Sequence, residues 1–276
     1  GLDFMAENQI TLVGCGKMGS AMLEGWLDDA SLDAQFTIIE PDQSHLGWVA
    51  NEPRVSLYQD CAAAIANNAK ASTMIVLAVK PQMMDNALAA IGHLNVARSA
   101  YLSIAAGIST RWLKQRLGLD AVVMRAMPNT PAAVGKGITA LFADAPDAVR
   151  DLAQQLLLAV GEVVLLDNEG LMDAVTAVSG SGPAYVFLLA EAMSAAGVEA
   201  GLPESLAKEL AKATVCGAGA LMAAVDTPPA TLRENVTSKG GTTAAALSVL
   251  MGNPGLSQLM TEAVDAAKKR SIELGE

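Results

Sequence analysis

The sequence predicts an α/β protein: an N-terminal doubly wound, mostly parallel sheet, followed by an all-helical C-terminal domain. Three observations carry this expectation. Short β-branched runs alternate with helical patterns as far as about Leu166, the first run ends in a glycine-rich turn that opens a helix, and past Asp167 the strand signal stops. Such alternation builds parallel sheets, because the crossover back to the same edge is long and usually helical.

The strand runs, in order, are "ITLV", "FTIIE", "VSL", "TMIVLAV", "AYLSIA", "AVVMRAM", "GITALFA" and "EVVLL". Beyond them Pro183, Pro203 and Pro254 stand near the starts of long Ala- and Leu-rich segments, where proline fits a first helical turn. A boundary near residue 166 follows, giving a dinucleotide-binding domain over 1–166 and a helical domain over 167–276. The stretch "AYVFLLAEAMSAAGVEAG", Ala184 to Gly201, has few charges on any face. A helix apolar all round must be buried on all sides. A helical domain of about 110 residues can hardly bury several such helices alone, so a partner subunit is expected.

The chain of 276 residues has room for two domains and is 52% hydrophobic, much of it Ala. Its net charge of −11 argues against nucleic acid or an anionic membrane as partner. The most apolar helical run, Ala213 to Val225, is too short to cross a bilayer. Cys15, Cys61 and Cys216 are odd in number and widely spaced, so neither a disulfide framework nor a metal site is expected. No charged n-region leads into an apolar h-region ahead of or after Met5, and a reducing cytoplasm fits best.

The first turn, "ITLVGCGKMG", sets Gly14, Gly16 and Gly19 as GxGxxG, with Cys15, Lys17 and Met18 between them. This is the Rossmann fingerprint: a tight turn at Gly14, close approach of a pyrophosphate at Gly16, helix–strand contact at Gly19. Glu40 ends the second strand 40 − 19 = 21 residues past the last glycine. It is placed to accept a ribose 2′-hydroxyl, which favours NAD; equally it reads as an exposed loop acid, and Lys17, Gln43 and Ser44 keep NADP open. Ala78, Val79, Lys80 and Pro81 finish another strand, and "SIAAGIS", with Ala106, and "RAMPNTP" finish two more. Ligands of such folds lie across the carboxyl ends of the strands, so these three ends outline a cleft. Lys80 reads either as bordering the cofactor or as a solvated surface lysine.

Only two histidines occur, His45 and His93, and both read as structural or surface residues. Alcohol oxidation needs a base to take the hydroxyl proton, and none offers itself. Reduction of a C=N bond is easier, since an imine arrives already protonated and needs mainly to be held against a nicotinamide. The stretch "VTSKGGTTAAAL", Val236 to Leu247, suits that task. Its Gly-Gly pair permits a tight turn, a Thr is expected to cap the following helix, and the free N–H groups at that helix start would bind a carboxylate. Read blandly, it is a capped helix after a glycine turn.

The motifs "GCGKMG", "AVKPQ", "SIAAGIS", "RAMPNTP", "AVSGSGPAY" and "VTSKGGTT", in this order and spacing along nearly the whole chain, resemble the pyrroline-5-carboxylate reductase family. The resemblance implies a Rossmann domain, a helical dimerisation domain that interlocks with a second subunit, and NADPH or NADH as hydride donor to 1-pyrroline-5-carboxylate. By position it implies that Gly14 to Gly19, Ala78 to Lys80, Ala106 and Asn235 touch the cofactor. It assigns Ser238, Gly240, Gly241, Thr242 and Thr243 to the substrate carboxylate, with Thr243 also on the ring nitrogen as positioner and proton relay. Ser179 and Ser181 would offer hydroxyls to the pocket or cap helices, and Asp226 would stand behind the site. The chain departs from the family at Lys239, where proline is usual, and at Glu40, where many members carry hydroxyl or basic residues.

Two rivals are a β-hydroxyacid dehydrogenase-like oxidoreductase and a non-catalytic nucleotide-binding protein. The first uses a lysine on the long helix after the domain junction, and "SGPAYVFLLAEAMSAAG" has none; the second should show an eroded substrate loop, whereas Gly240 to Thr243 is complete.

Overall fold

The structure is a computed structural model that describes residues 7–67, 69–92 and 99–276. Met5 and His93 lie outside the described residues. The strands are β1 (Asn8–Val13), β2 (Ala34–Ile39), β3 (Val55–Tyr58), β4 (Met74–Leu77), β5 (Ala100–Ser103), β6 (Val123–Met127), β7 (Gly137–Phe142) and β8 (Gly161–Leu165). Each of the eight runs read from the sequence forms one of them. They make one sheet in the order β3-β2-β1-β4-β5-β6-β7-β8. The first six are parallel, β7 pairs antiparallel to β6, and β8 runs parallel to β7.

Helices cover both faces. Ile10, Leu12, Phe36, Ile38, Met74, Val76, Leu102, Met124 and Ala126 face a core with α1 (Lys17–Asp28) and α5 (Asp147–Leu158). The alternate residues, among them Val13, Ile39, Ile75, Leu77, Tyr101 and Val123, pack against α2 (Cys61–Ala66), α3 (Met84–Ile91) and α4 (Thr110–Leu117). Where both faces are buried, as in β4 and β5, the strand reads as a continuous run rather than as alternation. Trp26 of α1 sits at the centre of the first face: it is fully buried, stacks on Phe36 with centroids 5.5 Å apart, and donates its Nε1–H to the Leu156 carbonyl at 2.8 Å.

After β8 come α6 (Met172–Val175), a π-helical turn (Thr176–Gly180), α7 (Gly182–Glu199), α8 (Glu204–Ala224), α9 (Pro229–Asn235), α10 (Thr242–Leu250) and α11 (Leu256–Leu274). By contacts the chain forms two compact units, one running to Gly180 and including Lys268–Glu276, the other Ser181–Ala267. Within the second unit α7 and α8 pack together, and Gly197 permits it, since a Cβ there would lie 3.2 Å from the Ala207 methyl. Pro183 stands in the first turn of α7 and Pro203 caps α8. No residue of α7 is buried in the single chain, and Phe187 and Leu188 are 65% and 62% exposed. Among the described residues no single helix is long and apolar enough to cross a membrane.

Replacing Trp26 with Ala removes both a stacked ring and a buried hydrogen bond; we expect urea denaturation to show a loss of about 3–5 kcal/mol.

Candidate active site

The turn after β1 is built from backbone. Gly14 has φ +89°, a conformation that favours glycine, and its N–H donates to the Ile39 carbonyl at 2.9 Å. A Cβ on Gly14 would meet the Ala78 carbonyl oxygen at 2.8 Å, so the turns after β1 and β4 touch through main chain. Gly19 lets α1 approach β1, since a Cβ there would lie 2.8 Å from the Gly14 carbonyl oxygen. Above Gly16, by contrast, there is open space. Gly16 is also the N-cap of α1 and supplies no capping side chain. The first N–H groups of the helix therefore face that space with the positive end of the dipole, which fits the diphosphate of a dinucleotide. Lys17 is exposed and Met18 half-buried at the same helix start.

Two side chains brace this turn. Cys15 N–H donates to Glu40 Oε1 at 3.3 Å, and Cys15 O accepts from the Nε2–H of His45 at 2.6 Å. Glu40 is half-buried just past β2, with its N–H bonded to the Tyr58 carbonyl. His45, read from the sequence as structural or surface, is a support of the glycine turn, and no local motif announces it. Burial pushes the Cys15 thiol pKa up, with Glu40 and Glu24 adding to the effect against a hydrogen bond from Ser20. It therefore stays a protonated core group.

The ends of β4, β5 and β6 lie side by side at one edge, as the strand pairing requires. Ala78 N–H donates to the Val13 carbonyl at 2.8 Å, Val79 is half-buried, and Lys80 is exposed at the start of a 3₁₀ turn that opens with Pro81. Ala106 sits half-buried in the loop after β5, next to Gly107 at φ +76°. Asn129 of "RAMPNTP" turns inward and accepts the Ile138 N–H at 2.9 Å.

Composition left one pair unannounced. Arg125, mid-strand in β6 and 4% exposed, places Nη1 3.4 Å from Glu169 Oε1. The Glu169 carboxylate also accepts the Thr110 N–H at 2.8 Å and the Thr110 hydroxyl at 2.6 Å, pinning the start of α4.

In the second unit, α9 ends at Asn235 and a turn carries the chain to α10. Gly240 has φ +71°. The N-cap of α10 is Gly241 rather than a threonine, and no side chain caps the helix. The reason is room: Gly241 N–H closes the turn on the Ser238 carbonyl at 3.0 Å, and a Cβ at this position would come 2.5 Å from Ser238 Oγ. Thr242 and Thr243 become the first two helical residues, and their hydroxyls are not spent on capping. Ser238 and Lys239 are exposed in the same turn, and Asp226 is exposed after α8. Ser179, in the π-helical turn, donates its hydroxyl to the Val175 carbonyl at 3.1 Å, whereas Ser181 precedes α7 without a capping bond. Among the described residues no group of three or more His, Cys, Asp or Glu could hold a metal, and all three cysteines are free thiols.

A family model described as pyrroline-5-carboxylate reductase dimerisation matches residues 169–274, and one described as coenzyme F420-dependent NADP oxidoreductase matches residues 9–107. The pyrroline-5-carboxylate reductase of Pseudomonas aeruginosa is 38% identical over 274 residues, covering 99% of this chain and 98% of its own. Among solved structures, a pyrroline-5-carboxylate reductase from Coxiella burnetii superposes with a TM-score of 0.86 at 32% identity, covering 98% of this chain and 99% of that one. A Plasmodium falciparum pyrroline carboxylate reductase with NADP bound gives 0.80 at 27%, covering 98% of each chain.

Two glycine variants separate shape from binding. Gly16→Ala should leave the melting temperature unchanged, because nothing lies within 4 Å, yet weaken NAD(P)H binding by about tenfold or more in a fluorescence titration, because the diphosphate loses its close approach. Gly14→Ala should lower both.

Proposed function

Because the chain belongs to the pyrroline-5-carboxylate reductase family, we propose that it reduces the C=N bond of 1-pyrroline-5-carboxylate with a hydride from NADPH or NADH, giving L-proline. The observation that carries this reading within the molecule is the uncapped start of α10, where free N–H groups stand beside two threonine hydroxyls. The nicotinamide cofactor supplies the hydride; the protein's part is to hold and orient.

We assign residues 1–166 to the cofactor and 167–276 to substrate binding and dimerisation. Gly14, Cys15, Gly16, Lys17, Met18 and Gly19 take the diphosphate. Ala78, Val79, Lys80, Pro81 and Ala106 line the cofactor beyond it, and Asn235 is its contact from the helical region. Glu40 Oε1 is already committed to the Cys15 N–H, which leaves Oε2 for the ribose 2′-hydroxyl. Ser238, Gly240, Gly241, Thr242 and Thr243 hold the substrate carboxylate, an anion placed where the α10 dipole and its N–H groups favour one. The Thr243 hydroxyl bonds the ring nitrogen, which fixes the face presented to the hydride and gives the nitrogen's proton a partner as the amine forms. The exposed apolar surface of α7 supports a homodimer or a larger homo-oligomer as the working form. Free cysteines support the cytoplasm as its compartment.

Loss of NADH absorbance on adding 1-pyrroline-5-carboxylate tests the reading directly, and a folded but inactive protein would overturn it. Thr243→Ala should lower kcat/KM by about tenfold or more, roughly one charge-assisted hydrogen bond. With both cofactors assayed side by side, NADH should show the lower KM, since a 2′-phosphate is repelled by Glu40; a lower KM for NADPH removes that role.

A further inference from the structure

We propose that the last turn of α11 and the residue after it, Ser271 to Gly275, form a positioning element for the cofactor-side loop Ile104–Ser109, acting through main-chain contact between Gly275 and Gly107. The inference rests on the reductase reading for the importance of that loop, but its geometry lies wholly within the first compact unit.

The loop leaves β5 at the carboxyl edge of the sheet, beside the end of β4, where a Rossmann fold receives its ligand. Its two ends are tied by hydrogen bonds. Ile104 N–H donates to the Leu77 carbonyl at 3.1 Å and Ala105 N–H to Ser103 Oγ at 3.3 Å; at the far end Thr110 is held by the Glu169 carboxylate. The middle is held differently. Gly107 is buried, and a Cβ on it would lie 3.2 Å from the Leu274 carbonyl carbon and 3.3 Å from the Gly275 nitrogen. In the other direction, a Cβ on Gly275 would run into the Gly107 carbonyl oxygen. Two glycines thus let the end of the chain rest directly against the loop beside Ala106.

That end is itself anchored. Ser271 is 4% exposed and donates its hydroxyl to Asp173 Oδ1 at 2.6 Å, and Gly275 N–H closes the turn on the Ile272 carbonyl at 3.0 Å. Asp173 follows Glu169 by one helical turn. The segment Glu169–Asp173 therefore clamps the loop twice, directly at Thr110 and through α11 at Gly107. A shift of the last turn moves the backbone beside Ala106, and misplacement of a reacting group by about 1 Å can cost up to roughly a hundredfold in rate.

Gly275→Ala isolates the contact, because Gly275 does not occupy the positive-φ region and the closest atom met by the new methyl outside its own turn is the Gly107 carbonyl oxygen. NADH Kd by fluorescence, steady-state KM for NADH and for 1-pyrroline-5-carboxylate, kcat and melting temperature are measured for wild type, Gly275→Ala, Ser271→Ala and the exposed control Glu276→Ala. We expect Gly275→Ala to lower the melting temperature, since the new methyl meets main chain, and in the folded protein to weaken NADH binding or lower kcat by at least about fivefold with the imino-acid KM within about twofold. Ser271→Ala should move in the same direction by less, and Glu276→Ala should match wild type. Wild-type kinetics in Gly275→Ala overturns the proposal, as does a fall in activity that only tracks the folded fraction. Should Gly275→Ala not fold, Ser271→Ala decides by the same readouts. If wild type binds NADH without reducing the imino acid, the reductase reading falls, and the NADH Kd of the variants still decides this inference.

Discussion

The first unit depends on one close approach of main chain to main chain, Gly14 against the carbonyl of Ala78. β1 and β4 are neighbours in the sheet, with β2 and β3 laid out to one side and β5 onward to the other, so the turns after them diverge and leave a crevice at their carboxyl ends. Any side chain at Gly14 would fill the point of divergence. With none there, α1 starts directly over the crevice and its free N–H groups face outward. Burial on both faces of the sheet, with Trp26 locked between Phe36 and Leu156, holds the strands that set this geometry.

The second unit obeys a different constraint. Its helices α7 and α10 present apolar side chains on nearly every side, and intrinsic propensity alone contributes little to holding such helices in place. Burial against further apolar surface is the force available, which is the physical ground for the homo-oligomer proposed above. On the proposed assignment the same unit keeps its polar chemistry at a helix start, where uncompensated N–H groups need no charged side chain to attract a carboxylate. A strongly acidic chain can in this way bind an anionic substrate.

Much of this was legible in the residues. Strands buried on both faces, such as β4, β5 and β6, read as continuous runs, the more exposed β3 and β8 were legible from short β-branched runs, and Gly14, Gly16 and Gly19 each occupy a position where the fingerprint has a steric meaning. The start of α10 was read one step off: a threonine cap was expected, yet Gly241 caps the helix because Ser238 occupies the room a side chain would need. His45 and Glu40 bracing Cys15, and Glu169 joining Arg125 to Thr110, were not readable, since each pair is separated by dozens of residues and joined only by folding.

By itself the sequence determined the period of each element, the glycines that free the backbone, and the family of the chain, because these depend on local sterics and on residue order. Tertiary structure alone decided which distant segments meet: the reversal of β7 and β8 in the sheet, the bracing of the glycine turn by a histidine, and the return of the last helical turn to Gly107. Those contacts depend on distances between residues far apart in the chain, and such distances are set only when the cores on both sides of the sheet close.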